Sequence, residues 1–164
     1  MEGAHLPTPD QSPPVLPKLN PDQLAAFASQ WNDHPGMRHM GARLDLTDPG
    51  TVRAVVDPIK PEHRGGLGTE AVNGAVIAGV FDLVIGLAGY LQTAGRRAGV
   101  AQLGIQFLRP VLGDRFEVLG RPIRVGKTLV FCTAELRDQD GRPCARCDGI
   151  VAVAGGDVGA GPAF

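Results

Sequence analysis

The sequence predicts an α+β fold in which a curved antiparallel sheet wraps around one long central helix. Three observations predict it. Residues 72–91 are apolar on every side apart from Asn73 and Asp82, and a helix apolar all round must be buried. Four strand-like segments follow at 99–109, 114–125, 128–138 and 143–153, joined in a meander by turn sequences. Two more strand-like segments precede the helix. A buried helix in that position needs a sheet on one side and a partner subunit or short helix on the other.

Composition narrows the function classes. The 164 residues, 43% hydrophobic and 20% charged, suit one globular domain. Aromatics are only 5%, so Val, Leu, Ile and Ala must build the core. A net charge of −1 with dispersed cations argues against nucleic acid as the main partner, because such binding needs clustered phosphate contacts. Three cysteines are an odd count and do not make a disulfide framework. The N-terminal stretch lacks the basic and apolar regions of a secretory signal, which makes the cytoplasm the expected compartment.

Along the chain, residues 1–17 hold five prolines and few large apolar groups, the pattern of a disordered tail. The folded domain is expected over 18–155, with a flexible Gly/Ala-rich tail at 156–164. Asn20-Pro21-Asp22-Gln23 is a helix start with a capping box, and Leu24, Phe27 and Trp31 carry the helix over about 21–32. His34-Pro35-Gly36 breaks it. Strands are expected at 39–47 and 51–58 around an Asp48-Pro49-Gly50 turn, then a Gly/Pro-rich loop to the central helix. Val125-Gly126-Lys127-Thr128 and Asp138–Arg142 are hairpin turns. A membrane span at 72–91 is disfavoured by Asp82 at its centre and by four glycines.

Asp82 is the sharpest residue. It is the one formally charged group in the apolar segment, and a carboxylate placed there without partners demands an explanation. A catalytic carboxylate in an apolar cleft is one, since desolvation raises its pKa and makes it a better base. A structural or solvent-facing Asp is the plain alternative. At the start of the same helix Thr69, Asn73 and Gly74 offer capping and close backbone approach, and the free N–H groups of a helix start can polarise a carbonyl. Close packing is the alternative for Gly74. The two features lie eight residues apart, about 12 Å along a helix. Two antiparallel copies across a dimer axis would bring the start of one helix to the middle of the other.

These residues resemble a known family. Asn73-Gly74-Ala75 through Asp82, with Gly86-Leu87-Ala88, resembles the His-Gly-Gly…Asp…Gly-Leu-Ala helix of hotdog thioesterases of the phenylacetate-degradation type. Phe107-Leu108-Arg109-Pro110, Gly113-Asp114, Arg124–Val130 and Asp140-Gly141 fit the same family in order. The resemblance covers about residues 36–153. It implies a hotdog fold, double-hotdog dimers and often tetramers, and hydrolysis of an acyl-CoA thioester with no metal or other cofactor. It places the carboxylate on Asp82, the carbonyl-polarising amide on Gly74 and the helix-start His on Asn73. The family's Asn before the helix is missing from the 65–70 loop, where Glu70 is a spare carboxylate. Its water-positioning Ser or Thr falls on Val100, with Gln102 two residues on and expected on the same face.

Around these, His63, Gly66, Ala75, Val100, Arg109 and Lys127 are candidate substrate contacts, with Arg64, Arg121 and Arg124 as further cations for the CoA phosphates. Cys144 and Cys147 are too few for zinc, and alternation expects one buried and one exposed thiol. The function expected is thioester hydrolysis by a homodimer or homotetramer, with Asp82 as general base or nucleophile. The alternatives are a non-catalytic acyl-CoA-binding protein and a hotdog dehydratase.

Overall fold

The computed structural model describes residues 17–65 and 68–155; the expected tails, Pro17 apart, lie outside them. Helix α1 spans Pro21–Asn32 and opens with the expected capping box: Asn20 accepts from the Gln23 N–H at 2.9 Å, and Gln23 accepts from the Asn20 N–H at 3.0 Å. His34-Pro35-Gly36 ends that helix but also starts another, α2 at Pro35–Met40. Here His34 is the cap, its Nδ1 accepting from the Gly36 N–H at 3.1 Å, and Pro35 takes the first turn. The first strand is therefore shorter than expected, β1 at Ala42–Asp45, followed by β2 at Val52–Val56.

After a 3-10 turn at Pro61–His63 comes α3, Gly74–Tyr90. The strands β3 Ala98–Phe107, β4 Phe116–Val125, β5 Leu129–Asp138 and β6 Pro143–Val153 complete one six-stranded antiparallel sheet in the order β1-β2-β4-β5-β6-β3. The sheet edges are β1 and β3. At β1, the Asn32 side chain bonds both backbone groups of Leu44, donating to its carbonyl at 3.1 Å and accepting from its N–H at 2.7 Å.

Alternation selects the face that meets α3. Phe116 and Val118 of β4, Cys132, Ala134 and Leu136 of β5, and Cys147 and Val151 of β6 are buried. From α3, Ile77, Val80, Phe81, Val84, Ile85 and Ala88 pack into the same core. Each large apolar side chain so buried stabilises the fold by roughly 1.5–3 kcal/mol. Helix and sheet approach closely because glycines stand at the contacts. A Cβ on Gly149 would lie 2.5 Å from Ile85, and one on Gly89 would lie 2.5 Å from Val151.

One face of α3 lies on the sheet, while Ala75, Gly79, Asp82 and Gly86 recur along a face that is exposed or half-buried in the single chain. Among the described residues no helix is long and apolar enough to cross a membrane.

Gly149→Ala should therefore destabilise the fold by roughly 1–3 kcal/mol, the range for overpacking a filled core. Gly99→Ala is the control, because a Cβ there meets nothing within 4 Å. Urea unfolding of the two variants should separate them; equal midpoints would show that helix and sheet separate freely at this contact.

Candidate functional site

The site is built at the start and on the open face of α3. Asn73 is its N-cap: Oδ1 accepts from the Ala75 N–H at 2.8 Å, and its carbonyl accepts from Val76 and Ile77. The Asn73 N–H donates to the His63 carbonyl at 2.8 Å. The Gly74 N–H, between these, meets no acceptor among the described residues. A free first-turn amide at the positive end of a helix dipole is a donor for a carbonyl or oxyanion. A Cβ on Gly74 would meet only the Phe107 ring, at 3.5 Å, an ordinary contact. Packing alone thus does not demand glycine here.

Two turns further on, Asp82 stands on the open face with no hydrogen-bond donor among the described residues. The residue is exposed overall, yet partial burial raises its pKa above the usual carboxylate value. Its neighbourhood is the edge of the sheet. One turn beyond it, Gly86 faces Val100 of β3, whose Cγ2 would lie 3.3 Å from a Cβ. Cys147 of β6 also feels Asp82. Burial is the main cause that pushes this thiol up to about 11, and the charges of Asp148 and Asp82 add to it.

The loop before α3 is tied down by Arg64. Its guanidinium donates to the carbonyls of Glu70 at 2.9 Å and Gly113 at 2.7 Å, and pairs with Asp114 at 3.3 Å. At the other end of the sheet, cations dispersed in sequence converge. Arg96 donates to the Lys127 carbonyl at 3.2 Å, and Ala154 donates to the Arg97 carbonyl at 2.9 Å. Arg121 and Arg124 are exposed on the same hairpin as Lys127. Residues 90–102 and 119–131 contain no carboxylate; Asp48 of the turn between β1 and β2 lies beside Gln92 and Pro122.

A family model described as thioesterase superfamily matches residues 70–145. A protein of Saccharolobus solfataricus named as an esterase is 32% identical over 100 residues, which cover 59% of this chain and 69% of that protein. The chain belongs to the thioesterase superfamily. Solved structures agree on the hotdog fold. A thioesterase of Haemophilus influenzae superposes with a TM-score of 0.74 at 18% identity, covering 85% of this chain and 95% of its own. The E. coli PaaI protein of the phenylacetic acid degradation operon gives 0.69 at 18%, covering 82% and 93%. A Streptococcus mutans protein solved with acetyl-CoA gives 0.61 at 21%, covering 70% and 89%.

Several residues expected to act in this superfamily member are placed elsewhere. Gln102 does not share a face with Val100. A bulge shifts the register, so that Val100 pairs with Val151 and Gln102 with Ile150. Val100 then faces α3, while Gln102 turns outward beside Gly104, 3.4 Å from a Cβ there. A second bulge, between Leu136 and Arg137, carries Cys144 to the buried side, so both thiols are buried and free. His63 is 3% exposed and lines no open cleft. Asn73 and Ala75 stay at the site, Asn73 as the helix cap and Ala75 exposed on the open face, while Arg64 is engaged in its loop. Arg109 donates to the Pro143 carbonyl at 3.0 Å. Glu70 is exposed, bonded to Arg64 through its carbonyl, and Gly66 lies outside the described residues. Two features went unmarked in the sequence: Phe107, 57% exposed over the helix start, and Arg96 with Arg97 at the cationic end. Phe107 was visible only as part of a strand motif.

The raised pKa of Asp82 fixes the sign of a stability test. The folded state holds the proton more tightly than the unfolded chain, so the ionised form opposes folding at pH 7. Asp82→Asn should raise the melting temperature at pH 7. The gain should shrink as the pH falls through the folded-state pKa and vanish below the ordinary value of 3.8. Thermal melts across that window decide it; a gain independent of pH would locate its source elsewhere.

Proposed function

We propose that the protein hydrolyses an acyl-CoA thioester at a site shared between two antiparallel copies of α3. The observation that carries the reading is the free Gly74 amide on the same helix as the Asp82 carboxylate. The acyl carbonyl accepts from the Gly74 N–H of one subunit, and Asp82 of the other takes a proton from the attacking water. The tetrahedral oxyanion collapses, the C–S bond breaks, and the CoA thiolate leaves with the proton returned from Asp82. A variant route has the carboxylate attack directly, expel the thiolate and form a mixed anhydride that water then cleaves.

The shared site follows from spacing. Gly74 and Asp82 are about 12 Å apart along one helix, too far for one carbonyl. The open face of α3 and the open β3 edge lie together, which suits a two-fold axis and a dimer, or a tetramer of two such dimers. The cations around Lys127 suit the phosphates of CoA, and the acetyl-CoA held by the Streptococcus mutans relative points the same way.

Val100, apolar where the family resemblance places a Ser or Thr, favours a second reading, a protein that binds acyl-CoA without cleaving it. Thiol release from a panel of acyl-CoAs separates the two. Asp82→Asn should lower kcat by roughly 10²–10⁴, the range for losing a positioned general base, with KM changing much less. Wild-type protein that binds acyl-CoA and releases no thiol would establish the binding reading. Sedimentation at micromolar concentration should give a dimer or tetramer; an active monomer would refute the shared site.

A further inference from the structure

We infer that His63 is a positioning residue that holds the Asn73–Gly74 amides in their working place, and that it does so only while its imidazole is neutral. The inference rests on the proposed use of the Gly74 amide as carbonyl donor.

The geometry is a chain of backbone contacts passing through one buried ring. His63 closes the 3-10 turn: its N–H donates to the Lys60 carbonyl at 3.0 Å, and its Nδ1 accepts from the Lys60 N–H at 3.1 Å. Its own carbonyl accepts from the Asn73 N–H at 2.8 Å. Asn73 is the cap from which α3 and the free Gly74 amide begin. The same ring supports α2 from below. Gly41, the left-handed cap of α2 at φ 62°, lies so close that a Cβ would be 2.9 Å from His63 Cε1. Met40, the last residue of α2, in turn faces Gly79 on the open side of α3, its sulfur 3.8 Å from where a Cβ would be. His63 thus joins the turn, the α2 cap and the helix start.

The bond from Lys60 fixes the proton. Nδ1 accepts, so the proton of the neutral ring is on Nε2. Nε2 is buried and has no hydrogen-bond partner. A second proton would have to go on Nδ1, where it would point at the Lys60 N–H, donor against donor. The turn must then open, and with it the carbonyl that holds Asn73. The surrounding charges do little to help the cation. Lys60 and Arg64 on the turn and His39 on α2 oppose it, and Glu62 alone favours it. Burial is the largest influence, and it lowers the His63 pKa below its usual 6.5. The folded state therefore binds this proton less tightly than the unfolded chain. Its contribution to stability is complete above 6.5 and is lost as the pH falls toward the folded-state value.

The test uses the full-length protein and amide-resolved NMR, which does not depend on turnover. In the wild type, the Asn73 and Gly74 amide resonances should shift with the same midpoint as the His63 ring, below 6.5, and exchange faster below it. His63→Asn places an amide oxygen where Nδ1 was and should keep both amides near their neutral-pH positions, without the titration. His63→Gln places its amide at the Nε2 position and should lose them. If acyl-CoA is hydrolysed, kcat should follow the same order with KM little changed, and His63→Asn should lose the part of the acid limb that shares the His63 midpoint while keeping the part set by protonation of Asp82. Amides of Asn73 and Gly74 that ignore the ring titration would overturn the inference even if a variant failed to fold. So would a Gln variant equal to wild type beside an impaired Asn variant. Wild-type protein without thioesterase activity but with coupled amides would instead refute the hydrolytic reading and leave the positioning role intact.

Discussion

The fold depends on the burial of one face of α3 against the sheet, and that contact depends on the absence of side chains at a few points. Val84 presses where Gly120 has no Cβ, Ile85 where Gly149 has none, and Gly89 lets Val151 reach the helix backbone. Interiors packed to near-crystal density transmit small shifts instead of absorbing them. Once these contacts seat the helix, its rotation is fixed, and with it the side of the molecule on which Asp82 emerges.

The site gains its character from incompleteness. Most backbone donors at the start of α3 are spoken for: Ala75 by the cap side chain, Val76 and Ile77 by the cap carbonyl, Asn73 by His63. The Gly74 amide is left over, and nothing among the described residues donates to Asp82. The donor is half-buried and the carboxylate exposed, so both are open to a ligand from the same side of an otherwise apolar helix. They are reasonable where a ligand completes them. Local bonding of the preceding loop through Arg64 and His63 lets such an end be held without filling it.

Local chemistry was legible in the sequence wherever it had one physical cause. The Asn20–Gln23 capping box, the Asp138–Arg142 hairpin and the apolar run of α3 all follow from nearest-neighbour rules, and the order of elements and the family motifs led to the hotdog fold. Alternation along β3 and β6 failed for a physical reason. A bulge adds one residue and inverts the facing of what lies beyond it, and nothing at Val100–Gln102 or near Cys144 announces one. The His34-Pro35-Gly36 signal marks the end of one helix and also begins the next, because Pro fits a first helical turn. Burial of His63 and the convergence of Arg96, Arg97, Arg124 and Lys127 were out of reach, since both arise from residues distant in sequence.

Asn32 has a consequence for growth of the sheet. A sheet edge is a row of unpaired amides and carbonyls, and two bare edges on one molecule permit endless head-to-tail addition. By bonding both backbone groups of Leu44, the Asn32 side chain acts as a one-residue surrogate strand and blunts the β1 edge where a newcomer would pair. Addition is then confined to β3. A second copy joined there would spend the open edge of both molecules at once and leave no bare edge for a third strand to extend.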